Sequence, residues 1–400
     1  MIYIKGKYNT AKVYTDNIEE EAYKQILNMM NQKFCEGSNV AIMPDTHAGA
    51  GCTIGTTMTI NDKIVPNLVG VDVGCGMLVL KVARNFHFDL ARLDMIIRDR
   101  IPSGMNYRNA AHRFAKCTKI EDILAPINTG RCMMSVGTLG GGNHFIEVDE
   151  DEDGIRYIVI HSGSRHLGVE ICRHYQDKAI KYHSKNDAAR NEIIRRCKDE
   201  GRQADIEKEL KSFNERTEKI PNELAYLEGK DMEDYIHDMA IAQRYAMYNR
   251  EAMMDEIIRS LEIPEDAILD KFCTIHNYID TKSMILRKGA ISLNKDEVAI
   301  IPISMAYGSL IVRGKGNSEW NFSGPHGAGR LMSRSKAKET LNMDDFRESM
   351  KGIFTTCISQ STIDESAMAY KPADEIIGNI GPTAEIINIV KPVYNFKASE

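Results

Sequence analysis

Short apolar runs separated by glycine-rich turns dominate two parts of the first half of the chain. Between Asn39 and Val82 the runs VAIMP, TTMTI and MLVLKV alternate with turns that contain glycine, and residues 131–168 repeat this texture. The pattern returns from Phe272 through the runs DEVAIIPISM and SLIVRGKG. Runs of this kind, rich in Val, Ile and Thr and bounded by turn residues, predict strands joined by tight loops.

The middle of the chain has a different periodicity. From Leu167 to about Leu261, charged residues are frequent and apolar side chains recur at intervals of three and four residues, as in YIHDMAIAQRYAMYNREAMMDEIIRS. This spacing predicts helices with one solvated face. We therefore expect a mixed α/β (α+β) fold, in which residues 1–400 form a single catalytic domain with a helical insertion at about 167–261.

Composition narrows the class of protein. The chain is 43% hydrophobic and 27% charged, as in globular proteins, and no stretch approaches the roughly 18 uninterrupted apolar residues of a membrane span. Nine cysteines without framework spacing, behind an N-terminus without a signal-peptide core, predict a cytoplasmic protein with reduced thiols. The net charge of -6 excludes bulk attraction to nucleic acid but permits a local basic groove.

Five potential metal ligands lie at the ends of predicted strands or in the adjacent glycine turns: Asp72, Cys75, His144, His161 and His276. One carboxylate, one thiolate and three imidazoles exceed the four ligands of a closed zinc site, so a two-metal site with a bridging sulfur is one interpretation. The alternative is a small buried cysteine and hydrogen-bonded structural histidines. His47 lies in a further glycine-rich turn beside Asp45, and we assign it a supporting position.

The loop SGPHGAGR, residues 323–330, presents His326 among small residues. Backbone amides in such a loop approach a phosphate closely, Arg330 adds a guanidinium, and a histidine placed there is suited to attack phosphorus. The alternative is a glycine-rich loop with an incidental histidine. Because the chain lacks GxxxxGK[ST], GxGxxG and KxDG motifs, a nucleotide would bind by another route.

The segments GVDVGCGM, GTLGGGNHFIE, IHSGSRHLG, IHNY, HGAGR and DESAMAYK occur in this order along nearly the whole chain. In this combination the sequence resembles the RtcB-type RNA ligase family. The resemblance implies a distinctive α/β catalytic domain whose strands line a deep metal cleft. It also implies the joining of RNA ends that carry a 2′,3′-cyclic phosphate or 3′-phosphate to 5′-hydroxyl ends, with GTP and two Mn²⁺ ions.

Residue roles follow from the same resemblance. Cys75 would bridge the two Mn²⁺ ions, with Asp72 and His144 on one ion and His161 and His276 on the other, and His326 would carry a covalent guanylate. The positions that match the family's guanylate-binding residues are Asn143, His144, Phe145, Ile146, Glu147, His276, Asn277, Pro302, Ile303, Ser304, Met305, Ser309, His326, Gly327, Ala328, Gly329 and Lys397.

Three positions depart from the family pattern: Ile303 and Ala306 stand where glycine is common, and His166 stands in GSRHLG where glycine is usual. RNA ends and GTP are the expected partners of a monomer without a membrane association, and any activating protein is unidentified. The physiological RNA is either spliced tRNA or damaged RNA. A two-metal phosphoesterase acting on RNA ends is the alternative enzyme class, and a non-catalytic RNA-binding protein is a third interpretation.

Overall fold

The computed structural model describes residues 1–216 and 220–398. Ten α-helices occur in these ranges, and the longest lie in the middle of the chain. Their bounds are α1 Glu20–Met30, α2 Leu90–Arg100, α3 Thr129–Ser135, α4 Arg165–His183, α5 Lys185–Asp199, α6 Ile206–Arg216, α7 Gly229–Leu261, α8 Arg334–Thr340, α9 Met343–Ser349 and α10 Ala373–Ile380.

Strands fill most of the chain outside the central helices. In the same described ranges they are β1 Ile2–Lys5, β2 Thr10–Val13, β3 Val40–His47, β4 Ile54–Thr59, β5 Lys63–Ile64, β6 Gly76–Val82, β7 Phe145–Glu150, β8 Arg156–Ser162, β9 Leu227–Glu228, β10 Ile268–Ile275, β11 Asn277–Asp280, β12 Ile285–Lys288, β13 Ala290–Ser292, β14 Val298–Ser304, β15 Gly308–Gly314, β16 Ser323–Pro325 and β17 Ala384–Lys397. The predicted mixed α/β class is confirmed.

Six strands form what we call the first sheet, in the order β1-β2-β3-β4-β12-β11. Its strands pair antiparallel except β2 and β3, which are parallel. Strand β3 lies inside the sheet, and all of its residues but His47 are buried. Its side chain Ile42 belongs to the large core that includes Ile26 and Met29 of α1. An inner strand covered in this way carries a nearly continuous apolar run.

Seven strands form the second sheet, in the order β10-β6-β8-β7-β17-β15-β14. Strand β6 shows why its run MLVLKV is apolar at every position except Lys81. Leu78 and Leu80 enter a core with helices α2 and α7, whereas Met77 and Val79 enter a core on the other face with β8 and β14. Successive side chains of a strand alternate between faces, so a sheet that is covered on both faces needs apolar residues at every position.

Helix α7 ties the two halves of the molecule together. Its residues Met239 and Tyr245 belong to the core beneath the first sheet, and Met253 and Ile257 belong to the core beneath the second. Helices α4 to α7 occupy the segment predicted as a helical insertion, of which residues 217–219 lie outside the described part. The single domain over 1–400 stays a prediction. Among the described helices, none combines the length and apolar character needed to cross a bilayer.

The two sheets meet at one residue. Strand β10 belongs to the second sheet and ends at Ile275, strand β11 belongs to the first sheet and begins at Asn277, and His276 lies between them. The backbone N–H of His276 donates to the carbonyl of Cys75 at 2.9 Å, and that of Gly74 donates to the carbonyl of Asn277 at 2.7 Å. The turn that carries Cys75 is therefore fixed at the junction of the sheets.

Candidate active site

Three of the predicted metal ligands form one buried cluster. The potential ligand atoms of Cys75, His144 and His161 all lie within 4.8 Å of one another. Cys75 Sγ is 3.4 Å from His144 Nε2 and 3.3 Å from His161 Nε2. One sulfur thus faces two imidazole nitrogens, which is a donor set that suits a transition metal.

Cys75 is placed by the glycines on either side of it. Gly74 has φ +70°, a left-handed conformation that disfavours side chains, and a Cβ on Gly76 would lie 2.2 Å from the carbonyl oxygen of Thr274 on the neighbouring strand β10. The tight turn and the close strand contact together direct the thiol into the space between the sheets.

Asp72 supplies a carboxylate to the same cluster. Its Oδ2 lies 3.0 Å from His144 Nε2, and its Oδ1 accepts the backbone N–H of Ser164 at 3.0 Å. A Cβ on Gly163 would overlap Asp72 Oδ1 at 2.0 Å, so glycine is required there. Burial opposes ionisation of Asp72, but the hydrogen bond and charge of His144, with the charge of Arg165, lower its pKa.

The ring nitrogens show which side of each histidine faces the cluster. His144 Nδ1 lies 3.0 Å from the carbonyl of Leu139, and His161 Nδ1 lies 3.2 Å from the carbonyl of Asn143. A carbonyl on Nδ1 fixes the tautomer in which Nε2 carries a lone pair, as in metal-binding histidines. Burial lowers the pKa of His161, which favours the neutral ligand form.

His276 extends the cluster towards the loop that carries His326. Its ring centre lies 5.2 Å from that of His161 and 4.8 Å from that of His326. The ring is buried, its Nδ1 has no hydrogen-bond partner among the described residues, and burial lowers its pKa. An unpartnered, neutral imidazole nitrogen beside a sulfur and two further imidazoles fits a metal ligand, because buried polar atoms otherwise find partners.

Two arginines that the sequence analysis did not single out support the cluster. Arg250 on α7 is fully buried and donates to the carbonyls of Gly74 and Ser162 at 2.8 and 2.7 Å. Arg165 Nη1 lies 3.2 Å from His144 Nδ1. The sequence held no distinguishing signal for Arg250, because Gln243, Arg244 and Glu251 make polar residues common in this stretch of α7.

His326 is held by an aspartate from the first sheet. Asp45 Oδ2 lies 2.6 Å from His326 Nδ1 and also accepts the backbone N–H of His326 at 3.0 Å. Asp45 is fully buried on β3. The loop reaches it because Gly329 has φ +78° and packs so closely that a Cβ would lie 2.3 Å from the Asp45 carbonyl oxygen. His47, on the same strand, lies beside Asp45 and lines the same space.

A cavity of about 530 Å³ opens beside His326. Most of the residues that match the guanylate-binding positions line it: Asn143, Phe145, Glu147, His276, Pro302, Ile303, Ser304, Met305, His326, Gly327, Ala328, Gly329 and Lys397. His161 also lines it, so the cavity connects the metal cluster with the loop of His326.

Four of the matched positions are not part of the cavity wall. The side chain of Ile146 points to the opposite face of the second sheet, into the core with α2 and α7. Ser309 lies behind Glu147, with 3.5 Å between its Oγ and Glu147 Oε1. Asn277 donates to the Asp72 carbonyl at 3.3 Å, and His144 lies in the metal cluster.

Lys397 lies at the inner end of the cavity in an ion pair. Its ammonium group is 2.5 Å from Glu365 Oε2 and 5.4 Å from the ring centre of Phe145. Burial opposes ionisation of Glu365, but the charges of Lys397 and Arg334 lower its pKa to about 2. Glu365 was not predicted as a site residue, although it belongs to the DESAMAYK segment.

The three departures from the family pattern have different surroundings. Ile303 is buried and lines the cavity, so its side chain narrows the space there. Ala306 packs against a small core that includes Met305 and Phe346. His166 lies on α4, where its Nε2 is 3.4 Å from Glu170 Oε1.

Comparisons with known proteins show the family to which the chain is similar. The sequence model of the family described as tRNA-splicing ligase RtcB matches residues 25–131 and 126–398. An RNA-splicing ligase RtcB from Escherichia coli is 31% identical over 419 residues, which cover 95% of each chain. A tRNA-splicing ligase RtcB from Aeropyrum pernix is 25% identical over 471 residues, covering 92% of this chain and 90% of its own length.

The fold and the site define the class as a mixed α/β enzyme with a buried thiol and imidazole cluster beside a carboxylate-bound histidine. Within this class the chain belongs to the RtcB family of RNA ligases. The resemblance stated from the sequence motifs is confirmed.

Proposed function

We propose that this protein is a GTP- and Mn²⁺-dependent RNA ligase. It joins RNA ends bearing a 2′,3′-cyclic phosphate or 3′-phosphate to 5′-hydroxyl ends through a covalent guanylate on His326, in tRNA splicing or RNA repair. One observation carries this proposal: Asp45 holds the ring of His326 at 2.6 Å, inside a nucleotide-sized cavity and next to the metal cluster. Membership of the RtcB family supports RNA as the substrate.

The donor set supports a two-ion site. Cys75 would bridge two Mn²⁺ ions, with Asp72 and His144 as ligands of one and His161 and His276 as ligands of the other. The unpartnered Nδ1 of buried His276 and the carbonyl-bound Nδ1 atoms of the other two histidines fit this assignment. Bound divalent ions would neutralise the charge of phosphate oxygens and help to orient them.

His326 is the nucleophile of the first step. Its Nδ1 is engaged by Asp45, which leaves Nε2 to attack the α-phosphorus of GTP. A bond forms between nitrogen and phosphorus while the bond to the departing pyrophosphate breaks. The carboxylate of Asp45 stabilises the positive charge that the substituted imidazole gains, as the aspartate of a hydrolase triad stabilises an imidazolium.

A 2′,3′-cyclic phosphate first adds water, which breaks the bond to O2′ and leaves a 3′-phosphate and a 2′-hydroxyl. Two further displacements then complete the reaction. The RNA 3′-phosphate attacks the phosphorus of the guanylate, and His326 leaves as neutral imidazole. The 5′-hydroxyl of the second RNA then attacks the 3′-phosphorus, GMP leaves, and the hydroxyl proton passes to solvent. Guanylylation therefore gives the RNA 3′-phosphate a good leaving group, GMP, which the last displacement expels.

The alternative function, a two-metal phosphoesterase, would not use His326 as a nucleophile. A two-metal hydrolase uses metal-bound hydroxide and needs no nucleophilic histidine. The Asp45–His326 pair therefore favours the ligase, because a histidine fixed through Nδ1 by a fully buried carboxylate is the arrangement of an activated nucleophile or base.

His326→Ala tests the proposal. We expect this variant to incorporate no labelled GMP from GTP and to join no 3′-phosphate ends, yet to join RNA supplied with a preactivated, guanylylated 3′ end. His166→Ala, which changes a histidine on α4, is the matched control and should keep both activities. Labelling of His326→Ala by GTP, or GTP-independent hydrolysis of RNA ends by both variants, would contradict the proposed function. The monomeric state, an activating partner and the cytoplasmic location stay predictions.

A further inference from the structure

A second carboxyl group is buried beside the cavity without a partner. The alternation of strand β7 turns Phe145, Glu147 and Asp149 to one face, and the first two line the cavity. Asp149 is fully buried, and neither of its carboxyl oxygens has a hydrogen-bond donor among the described residues. An ionised carboxylate in this position would lose its hydration without compensation, which costs several kcal/mol.

The groups around the pair come from three neighbouring strands. On β17, Asn395 Nδ2 donates to Glu147 Oε2 at 2.9 Å. On β15, the Ser309 hydroxyl donates to Glu147 Oε1 at 3.5 Å; it acts against the rise in the pKa of Asp149 but forms no hydrogen bond with either Asp149 oxygen. On β8, Tyr157 pairs opposite Asp149, and its hydroxyl donates to Asp151 at 2.9 Å.

The nearest cation belongs to another carboxylate. Lys397 at the end of β17 forms an ion pair with Glu365 at 2.5 Å. The charge of Lys397 favours ionisation of Glu147, but in the described ranges Lys397 forms no salt bridge with Asp149. Burial raises the pKa of Glu147 to about 7, against the hydrogen bond from Asn395 and the charge of Lys397. Burial and the charge of Glu147 raise the pKa of Asp149 well above its usual range.

Two carboxyl groups that share a buried site cannot both be ionised at low cost, so one of them keeps a proton. Asp149 is the deeper of the two and receives no donor, whereas Glu147 receives one from Asn395. A protonated carboxyl must itself donate its O–H, and the acceptor beside it on the same face is the Glu147 carboxylate.

We propose that Asp149 is a positioning residue of the nucleotide pocket, which keeps its proton and donates it as a hydrogen bond to Glu147. Glu147 is thereby held as an acceptor-only group that faces the cavity. Such a carboxylate accepts from the N–H groups on the Watson–Crick edge of guanine, whereas adenine presents an acceptor at the equivalent ring nitrogen. Asp149 therefore contributes to the choice of GTP over ATP, and this inference rests on the proposed function.

Two substitutions distinguish the effect of the hydrogen bond that Asp149 donates from the effect of its side-chain shape. Asp149→Asn keeps a donor towards Glu147, and we expect its GTP affinity to stay within about twofold of wild type at pH 6 and pH 8. Asp149→Leu removes the donor, so the Glu147 carboxylate loses stabilisation and protonates more readily. A rise of one unit in its pKa makes GTP binding about tenfold weaker at pH 6, with recovery towards pH 8 and unchanged ATP binding.

Calorimetric titration of GTP and ATP in the presence of Mn²⁺ measures these affinities. Asp151→Asn is the matched control, because it changes the aspartate two positions further along the chain, which accepts from the Tyr157 hydroxyl and does not contact Glu147 through a hydrogen bond. Tighter GTP binding by Asp149→Asn at pH 6 would overturn the proposal, since it would mean that Asp149 is ionised and repels Glu147. GTP binding by Asp149→Leu that is independent of pH would also overturn it.

Infrared spectroscopy gives a readout that needs no nucleotide. We expect wild type at about pH 9, where Glu147 with its pKa of about 7 is ionised, to show the carbonyl band of a protonated carboxylic acid, and Asp149→Asn to lack it. This comparison decides the question if Asp149→Leu does not fold, and a band that persists in Asp149→Asn would refute the assignment. Failure of the proposed function has a different signature, because wild type itself would then take no label from GTP.

Discussion

The role of Asp45 can be tested first by removing its negative charge and then by removing its hydrogen bonds to His326. Oδ2 of Asp45 accepts both from His326 Nδ1, at 2.6 Å, and from the backbone N–H of His326, at 3.0 Å, whereas Oδ1 has no partner among the described residues. An asparagine whose oxygen takes the place of Oδ2 keeps both contacts. Asp45→Asn therefore removes the negative charge while the loop stays in place.

The size of the effect follows from the type of hydrogen bond. Asp45→Asn exchanges a hydrogen bond to a charged group, which contributes about 1.5–3 kcal/mol, for a neutral one of about 0.5–1.5 kcal/mol. The loss of about 1–1.5 kcal/mol corresponds to roughly a 5- to 12-fold slower formation of the His326 guanylate. Asp45→Ala also leaves the buried backbone N–H of His326 unpaired, at a further cost of about 1–3 kcal/mol. We expect it to be slower by another factor of about ten or more.

Single-turnover labelling with GTP measures the first step, and joining of preactivated RNA measures the last. Both variants should lose the first activity and keep the second, because His326 has already left before the 5′-hydroxyl attacks. Asp94→Asn is the control for loss of a buried aspartate, since Asp94 binds Thr356 and Tyr394 outside the cavity. Labelling of Asp45→Asn within about threefold of wild type would refute the role of the carboxylate.

Two further predictions concern the metal cluster and the inner end of the cavity. Cys75→Ser should lose bound metal and ligation with an unchanged circular dichroism spectrum, because serine offers a neutral hydroxyl in place of a thiolate; metal analysis showing full occupancy together with normal ligation would contradict this. Glu365 has a pKa lowered to about 2, so its contribution of about 3 kcal/mol is complete above its unfolded pKa of about 4.5 and is lost as the pH falls towards 2. In urea unfolding between pH 7 and 3.5, the stability advantage of wild type over Glu365→Gln should shrink, and a constant difference would refute the assignment.

The strands could be predicted from the sequence because local pattern determines them. The run MLVLKV in β6 is apolar at every position except Lys81, and the structure covers both faces of that strand. The candidate ligand Cys75 was visible for a similar reason, since the glycines beside it carry a conformational and a steric requirement. Signals of this kind are contained within a few residues.

The partners of these residues could not be predicted in the same way. Asp45 is 281 positions from His326 in the sequence, and His47 had the more conspicuous local context. Asp149 has no local signal of its own, because it is the first of five consecutive acidic residues, and acidic residues at the end of an apolar strand usually face solvent. Only the pairing of β7 with β8 and β17 shows that it is buried.

The junction of the two sheets explains how the predicted metal ligands and His326, the proposed nucleophile, keep their relative positions. The cluster belongs mainly to the second sheet, whereas His326 is bound to the first sheet through Asp45. Asn277 joins them, because its carbonyl accepts the N–H of Gly74 at 2.7 Å and its side-chain oxygen accepts the N–H of Gly289 at 2.8 Å.

Gly289 in turn packs against the ring of His326, and a Cβ there would lie 3.2 Å from Cε1. A continuous path of backbone contacts thus leads from the turn of Cys75 through Asn277 to the nucleophile. Asn277 lies outside the cavity wall, although its position matches a guanylate-binding residue of the family. In this structure its contacts fix the distance between the cluster and His326, so a change at this position acts on both parts of the site without touching the cavity.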